Sequence, residues 1–249
     1  MKAQYPRRGV YILPNLFTTA SLFAGFFSVL QSIGGHYRLA AVVIFIAMIL
    51  DGLDGRVARM TGTESAFGAE YDSLADVIAF GLAPALLVFL WGLRDFGNLG
   101  WLGAFVFTAC GALRLARFNA QVQNQSKRYF QGLPIPTAAA VLAGLVWVAV
   151  GEGYPWLTQG AEYIALFLVY ALGLMMVSNV RYRSFKDFDL HGRVPFALAI
   201  MVVLALALVA LHPPLVLFAT TLVYALLGPL LTIWQLQRRR QQRRRNLDR

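Results

Sequence analysis

Four aspartates crowd one stretch of an otherwise apolar chain: residues 51–76 read DGLDGRVARMTGTESAFGAEYDSLAD. Asp51 and Asp54 are three apart and Asp72 and Asp76 four apart, with Gly55, Ala58, Arg59 and Gly68 between them at near-helical spacing. Ionisable side chains at bilayer depth are costly, so they read as functional and need a partner. Four carboxylates facing one another cannot all be ionised without compensation. They can share protons, pair with Arg56 and Arg59, or bind metal. Hard oxygen donors with no histidine or cysteine nearby select Mg²⁺, Mn²⁺ or Ca²⁺ over zinc. Four aspartates can hold two such cations about 4 Å apart, the arrangement that clamps phosphoryl transfer. Gly55, Ala58 and Gly68 leave room for a bulky ligand, and Arg59 can reach a phosphate with paired donors. A structural or proton-relaying carboxylate cluster, with small residues marking close helix packing, is the competing reading.

The elements that must carry these residues follow from the spacing. Asp51, Asp54, Gly55, Ala58 and Arg59 are offset by 0, 3, 4, 7 and 8 and share one helical face. Gly68, Asp72 and Asp76 recur every four residues as a second stripe. The polar link 61–67 is short, so the two helices run antiparallel, side by side. At 1.5 Å per residue, Asp51 lies about 20 Å along a helix that begins near Arg38, and Asp76 about 12 Å inward from Gly68. In a bilayer core about 30 Å thick both pairs then reach similar depth, opening to one face.

The rest of the chain supplies the membrane. Of 249 residues, 58% are hydrophobic and only 14% charged, and mean hydropathy is +0.60. Soluble domains carry about 25% charged residues. Apolar stretches at 13–33, 38–50, 77–93, 99–113, 134–150, 161–179, 194–211 and 214–234 predict an all-α polytopic bundle of about eight spans. The second and third reach spanning length only with their aspartate-bearing flanks; six spans is the fallback. Lys2, Arg7 and Arg8, then Arg59, Arg117, Lys127, Arg128, Arg181, Arg183, Lys186 and Arg193, and the arginine run 238–245 fall on alternate links. By the positive-inside rule both termini are cytoplasmic. Residues 1–12 form a short N-terminal segment, 13–234 one membrane domain and 235–249 a basic tail. No cleavable signal peptide is expected, because the first apolar stretch is long and lacks a small-residue cleavage site.

A net charge of +10 might point to nucleic acid, but most of the surplus is that juxtamembrane arginine run. Such runs attract anionic headgroups at about 1 kcal/mol per residue. Nucleic-acid binding is not expected, and membrane lipids are the partner. Cys110, the only cysteine, cannot form an internal disulfide and reads as a packing residue. The three histidines show no ligand spacing. Pro134, Pro136, Pro213 and Pro214 mark helix starts, and Asn15 and Thr18 either cap the first helix or bond a nucleotide.

Residues 51–76 match, position for position, the signature D-x-x-D-G-x-x-A-R-x8-G-x3-D-x3-D, and the chain thereby resembles the CDP-alcohol phosphotransferases. Leu13–Thr19, Ser65–Leu74, Arg114-Leu-Ala-Arg-Phe-Asn119, Gly132–Pro136 and Val180–Lys186 are similar to the bacterial membrane-embedded phosphatidylserine synthases within that family. The resemblance implies that Asp51, Asp54, Asp72 and Asp76 hold two Mg²⁺ or Mn²⁺ ions against the pyrophosphate of CDP-diacylglycerol. It implies that Arg59 contacts a phosphate, that Gly55, Ala58 and Gly68 admit the nucleotide, and that Asp76 is also the general base for the L-serine hydroxyl. The products are then phosphatidylserine and CMP. A homodimer in the bacterial inner membrane, its active site open to the cytoplasm, is also implied. The serine carboxylate needs a cation, for which Arg114, Arg117, Arg181 and Arg183 are candidates; topological anchoring is the equal alternative for Arg114 and Arg117. The rivals are the same chemistry with glycerol 3-phosphate or inositol phosphate as acceptor, and a cation- or proton-coupled transporter.

Overall fold

Long apolar runs coil because a backbone in lipid must satisfy its own hydrogen bonds. A computed structural model describes residues 12–63, 65–121, 129–151, 160–183, 203–204 and 207–247. Seven helices are labelled among them. They are α1 (Ile12–Ile33), α2 (Tyr37–Thr61), α3 (Ala66–Phe96), α4 (Asn98–Gln121), α5 (Ile135–Ala149), α6 (Ala161–Val177) and α7 (Pro213–Leu247). Helical residues also occur at 203–204 and 207–211, so most of the expected seventh stretch, 194–211, lies outside the described residues.

Four segments are long and apolar enough to cross a bilayer: Pro14–Ile33, Ala66–Phe96, Asn98–Ala120 and Pro213–Thr232. The protein is a membrane-embedded helix bundle. α2 has the length, at 25 residues, but carries Arg38, Asp51, Asp54, Arg56 and Arg59. α5 and α6 have 15 and 17 residues, short of the roughly 20 that a full crossing needs. α5 lies at the centre of the bundle. It packs against α2, α3, α6 and α7, and residues 138–146 are buried without interruption. That burial shows α5 to be surrounded by other helices of the bundle.

The helix-only expectation needs one correction. Tyr129–Gln131 (β1) pairs antiparallel with Arg181–Arg183 (β2), Phe130 opposite Tyr182. These strands tie the link before α5 to the link after α6. Strands of three residues carry too little alternation to stand out in a sequence.

α3 carries two of the four aspartates and is not a regular helix. It widens to π geometry over Val77–Leu82, directly after Asp76, and again over Phe89–Leu93. Pro84 explains the first widening, since its ring clashes with the carbonyl four residues back and it donates no N–H. Ala83 accordingly bonds back to the Ile78 carbonyl, five residues away. Side chains from neighbouring helices meet carbonyls in both stretches. Thr108 of α4 donates to Gly81 O at 3.3 Å, and Tyr37 of α2 to Leu90 O at 2.9 Å.

α1 and α2 are joined by small polar side chains reaching backbone across the interface: Ser21 to Ala47 O at 3.0 Å and Ser28 to Ala40 O at 2.9 Å. Gly25 lets α1 touch α3. A Cβ there would sit 2.5 Å from Ala79 Cα. That contact lies three residues beyond Asp76 and presses the aspartate-bearing end of α3 onto the α1–α2 pair.

Candidate active site

The turn between α2 and α3 sets the geometry of the site. Gly62 takes the left-handed conformation (φ 62°) that most residues avoid. Thr63 N–H bonds to Ala58 O at 3.0 Å and Gly62 N–H to Arg59 O, closing α2 in a Schellman-type stop. Ser65 then caps α3, its hydroxyl accepting from Gly68 N–H at 3.0 Å. With so few residues spent in the turn, the two aspartate stripes meet.

Asp51 from α2 and Asp72 and Asp76 from α3 each bring a carboxylate oxygen within 4.8 Å of the others. Their similar depth, expected from helix rise, is what the helices deliver. Asp72 Oδ1 is buried and has no hydrogen-bond partner among the described residues. An unsatisfied buried carboxylate oxygen costs about 1–3 kcal/mol or more, so it marks a place for a ligand. Asp54 is buried at 6% exposure, and its Oδ2 accepts a 2.7 Å bond from the hydroxyl of Thr18 on α1, itself 4% exposed.

Asp72 and Asp54 also line a cavity of about 310 Å³ with Asn15, Gly55, Ala58, Arg59 and Gly68. The cavity lies where α1 begins and the α2–α3 turn closes. Asn15 and Thr18 are inside α1, which starts at Ile12, so neither caps that helix. Thr18 spends its hydroxyl on Asp54, and Asn15 Oδ1 lies 3.5 Å from the point where a Cβ on Gly68 would be. Open space surrounds the Cβ position of Gly55. Pro14, Thr63, Ser65 and Ala69 complete the lining.

α4 forms the opposite wall. Arg114 is partly buried, within electrostatic reach of Asp76 and of Tyr224 on α7. Its Nε has no hydrogen-bond partner among the described residues. Arg117, one turn on, points elsewhere and donates to Asn179 Oδ1 at 3.4 Å. The α4 pair is therefore split, with only Arg114 near the carboxylates. Arg181 and Arg183 form β2, and their side chains lie outside what is described. Asn119 closes the C-terminal end of α4 onto α3, donating to Glu70 Oε2 at 3.2 Å and Ser73 Oγ at 3.0 Å. Thr18 as an aspartate's partner and Asn119 as a cross-link were not identifiable from spacing. Their only signal was their place in the two stretches of family resemblance at 13–19 and 114–119.

The model of the CDP-alcohol phosphatidyltransferase family matches residues 11–175. A Helicobacter pylori protein named CDP-diacylglycerol–serine O-phosphatidyltransferase is 40% identical over 208 residues, covering 84% of this chain and 85% of that protein. A Mycobacterium tuberculosis protein of the same name is 33% identical over 235 residues, covering 92% and 76%. An archaetidylserine synthase of Methanothermobacter thermautotrophicus is 36% identical over 172 residues, covering 68% and 69%. The family match spans most of the chain and includes every aspartate of the site, and the chain is an enzyme of the CDP-alcohol phosphatidyltransferase family.

Proposed function

We propose that this enzyme transfers the phosphatidyl group of CDP-diacylglycerol to the hydroxyl of L-serine, giving phosphatidylserine and CMP. The observation that carries the reading is three carboxylates within 4.8 Å of one another, beside a cavity lined by the small residues and arginine of the same motif. The names of the bacterial and archaeal relatives share serine while differing in the lipid, which favours serine as acceptor.

The residues fit divalent cations. The donors are carboxylate oxygens only, and one oxygen of Asp72, Oδ1, is a buried acceptor with no partner among the described residues. Asp51, Asp72 and Asp76, with Asp54 beside them, would hold Mg²⁺ or Mn²⁺. When bound, such cations would supply positive charge for the pyrophosphate and for the departing CMP.

The chain's own groups do the rest. Gly55, Ala58 and Gly68 admit the nucleotide to the cavity, with Asn15 at its wall, and Arg59 at its rim contacts a phosphate. Arg114 holds the serine carboxylate; its unpartnered Nε beside Asp76 supports that role over Arg117, which bonds Asn179. Asp76 takes the proton from the serine hydroxyl. The serine oxygen forms its bond to the lipid-side phosphorus as the phosphorus–oxygen bond to CMP breaks. Water-soluble serine and CMP pass through the cytoplasmic mouth while acyl chains stay in lipid. This reading includes about eight spans, both termini inside, a single domain over 13–234, and a homodimer in the inner membrane.

The test is CMP release in detergent with CDP-diacylglycerol and, separately, serine, glycerol 3-phosphate and inositol phosphate. Serine alone should support turnover, and chelator should abolish it. Turnover with a phosphorylated alcohol instead would reassign the acceptor, and release indifferent to chelator would remove the cations.

A further inference from the structure

Asp54 differs from its three partners in being held by a side chain from outside the motif. The Thr18 hydroxyl reaches it across the α1–α2 interface at 2.7 Å, and both groups are nearly inaccessible, at 4% and 6%. That length is typical of a hydroxyl donating to an ionised carboxylate. The alternative acceptor for the same hydroxyl, Pro14 O, is farther at 3.3 Å. One proton can serve one short bond, so the Thr18 hydroxyl is committed to Asp54. The remaining lone pairs of the Asp54 carboxylate stay available to a ligand shared with Asp72, which lines the same cavity. α1 is itself anchored by Ser21 and Ser28 to the α2 backbone and by Thr19 to Tyr71 of α3 at 2.9 Å, so the donor has little freedom to drift.

We infer that Thr18 is a positioning residue for cation binding: its hydroxyl fixes the rotamer of Asp54 so that the carboxylate faces the cation site. The inference rests on the reading above that these aspartates hold divalent cations. Residues that orient metal ligands typically contribute 10–100-fold in metal affinity when removed.

The experiment is Mn²⁺ binding to the purified full chain in detergent, without substrate, followed by electron paramagnetic resonance of free Mn²⁺. Thr18→Val keeps the shape and removes the hydroxyl, Thr18→Ser keeps the hydroxyl, and Thr18→Ala guards against misfit of valine. Val and Ala variants should bind Mn²⁺ about 10–100-fold more weakly. The Ser variant should stay within about threefold of the parent protein, reflecting retention of that orienting bond. If Val and Ala bind as the parent does, or if Ser is as weak as Val, the positioning role is wrong while the cation site stands. A parent protein that binds no Mn²⁺ overturns the cation reading itself, and this inference with it.

Discussion

The two walls of the site use polar groups in opposite ways. On the α2–α3 wall, three carboxylates converge within 4.8 Å, and one oxygen of the three residues, Asp72 Oδ1, has no partner among the described residues. On the α4 wall most polar groups are already spent: Asn119 is tied to Glu70 and Ser73, and Arg117 to Asn179. Among the described residues of that wall Arg114 alone keeps a buried donor without a partner, and it lies within electrostatic reach of Asp76. Unsatisfied buried groups are costly, so where they persist they mark what the site is built to hold. Satisfied ones mark what holds the site in shape. One wall is chemistry and the other is largely framework, with a single exception.

The sharpest way to break this contrast is Asp76→Asn. It should lower kcat by about 10²–10⁴-fold, the usual range for a lost general base. Thermal unfolding in detergent should be unchanged or improved, since a buried charge has been removed. Near-normal turnover would move the base elsewhere. Next in size is Arg114→Met. Losing charge-assisted hydrogen bonds worth about 1.5–3 kcal/mol should raise the serine KM roughly 10–100-fold. The KM for CDP-diacylglycerol should change little, and equal effects on both substrates would make Arg114 framework after all. Arg117→Met, in parallel, should leave both constants within about twofold, because its net bond is worth only about 0.5–1.5 kcal/mol and lies away from the carboxylates.

Smallest is Asn119→Ala. Removing its bonds to Glu70 and Ser73 should cost two- to tenfold in kcat, about 0.5–1.5 kcal/mol. Combined with Ser73→Ala, the double variant should lose little more than the worse single one, because both remove the same cross-link. Fully additive losses would show that Asn119 and Ser73 act apart.

How much of this was legible beforehand depends on which distances matter. Intervals of three and four residues put Asp51 and Asp54 on one face and Gly68, Asp72 and Asp76 on another, because helix geometry converts spacing directly into direction. The Gly62 stop and the Ser65 cap likewise belong to a short polar link readable in the chain. By contrast, Thr18 lies 36 residues from Asp54, and no periodicity connects them. Asn15 and Thr18 could cap the first helix or bond a nucleotide by residue type alone, and only their place inside α1 excludes the cap. α5 and α6 share the hydropathy of the longer spans but are shorter, and hydropathy records that a helix avoids water, not whether lipid or protein surrounds it. The π widening after Asp76 had a signal in Pro84, but its consequence, carbonyls met by Thr108 and Tyr37, came from other helices.

From residue order alone come the membrane environment, the family and the identity of the clustered carboxylates, since composition and local spacing encode all three. Packing decided the remainder: that Asp51 meets Asp72 and Asp76, that Thr18 takes hold of Asp54, and that Arg114 rather than Arg117 turns inward. Those outcomes depend on how helices lean on each other at contacts such as Gly25 against Ala79, where separation is set by side-chain volume across an interface that no single segment contains.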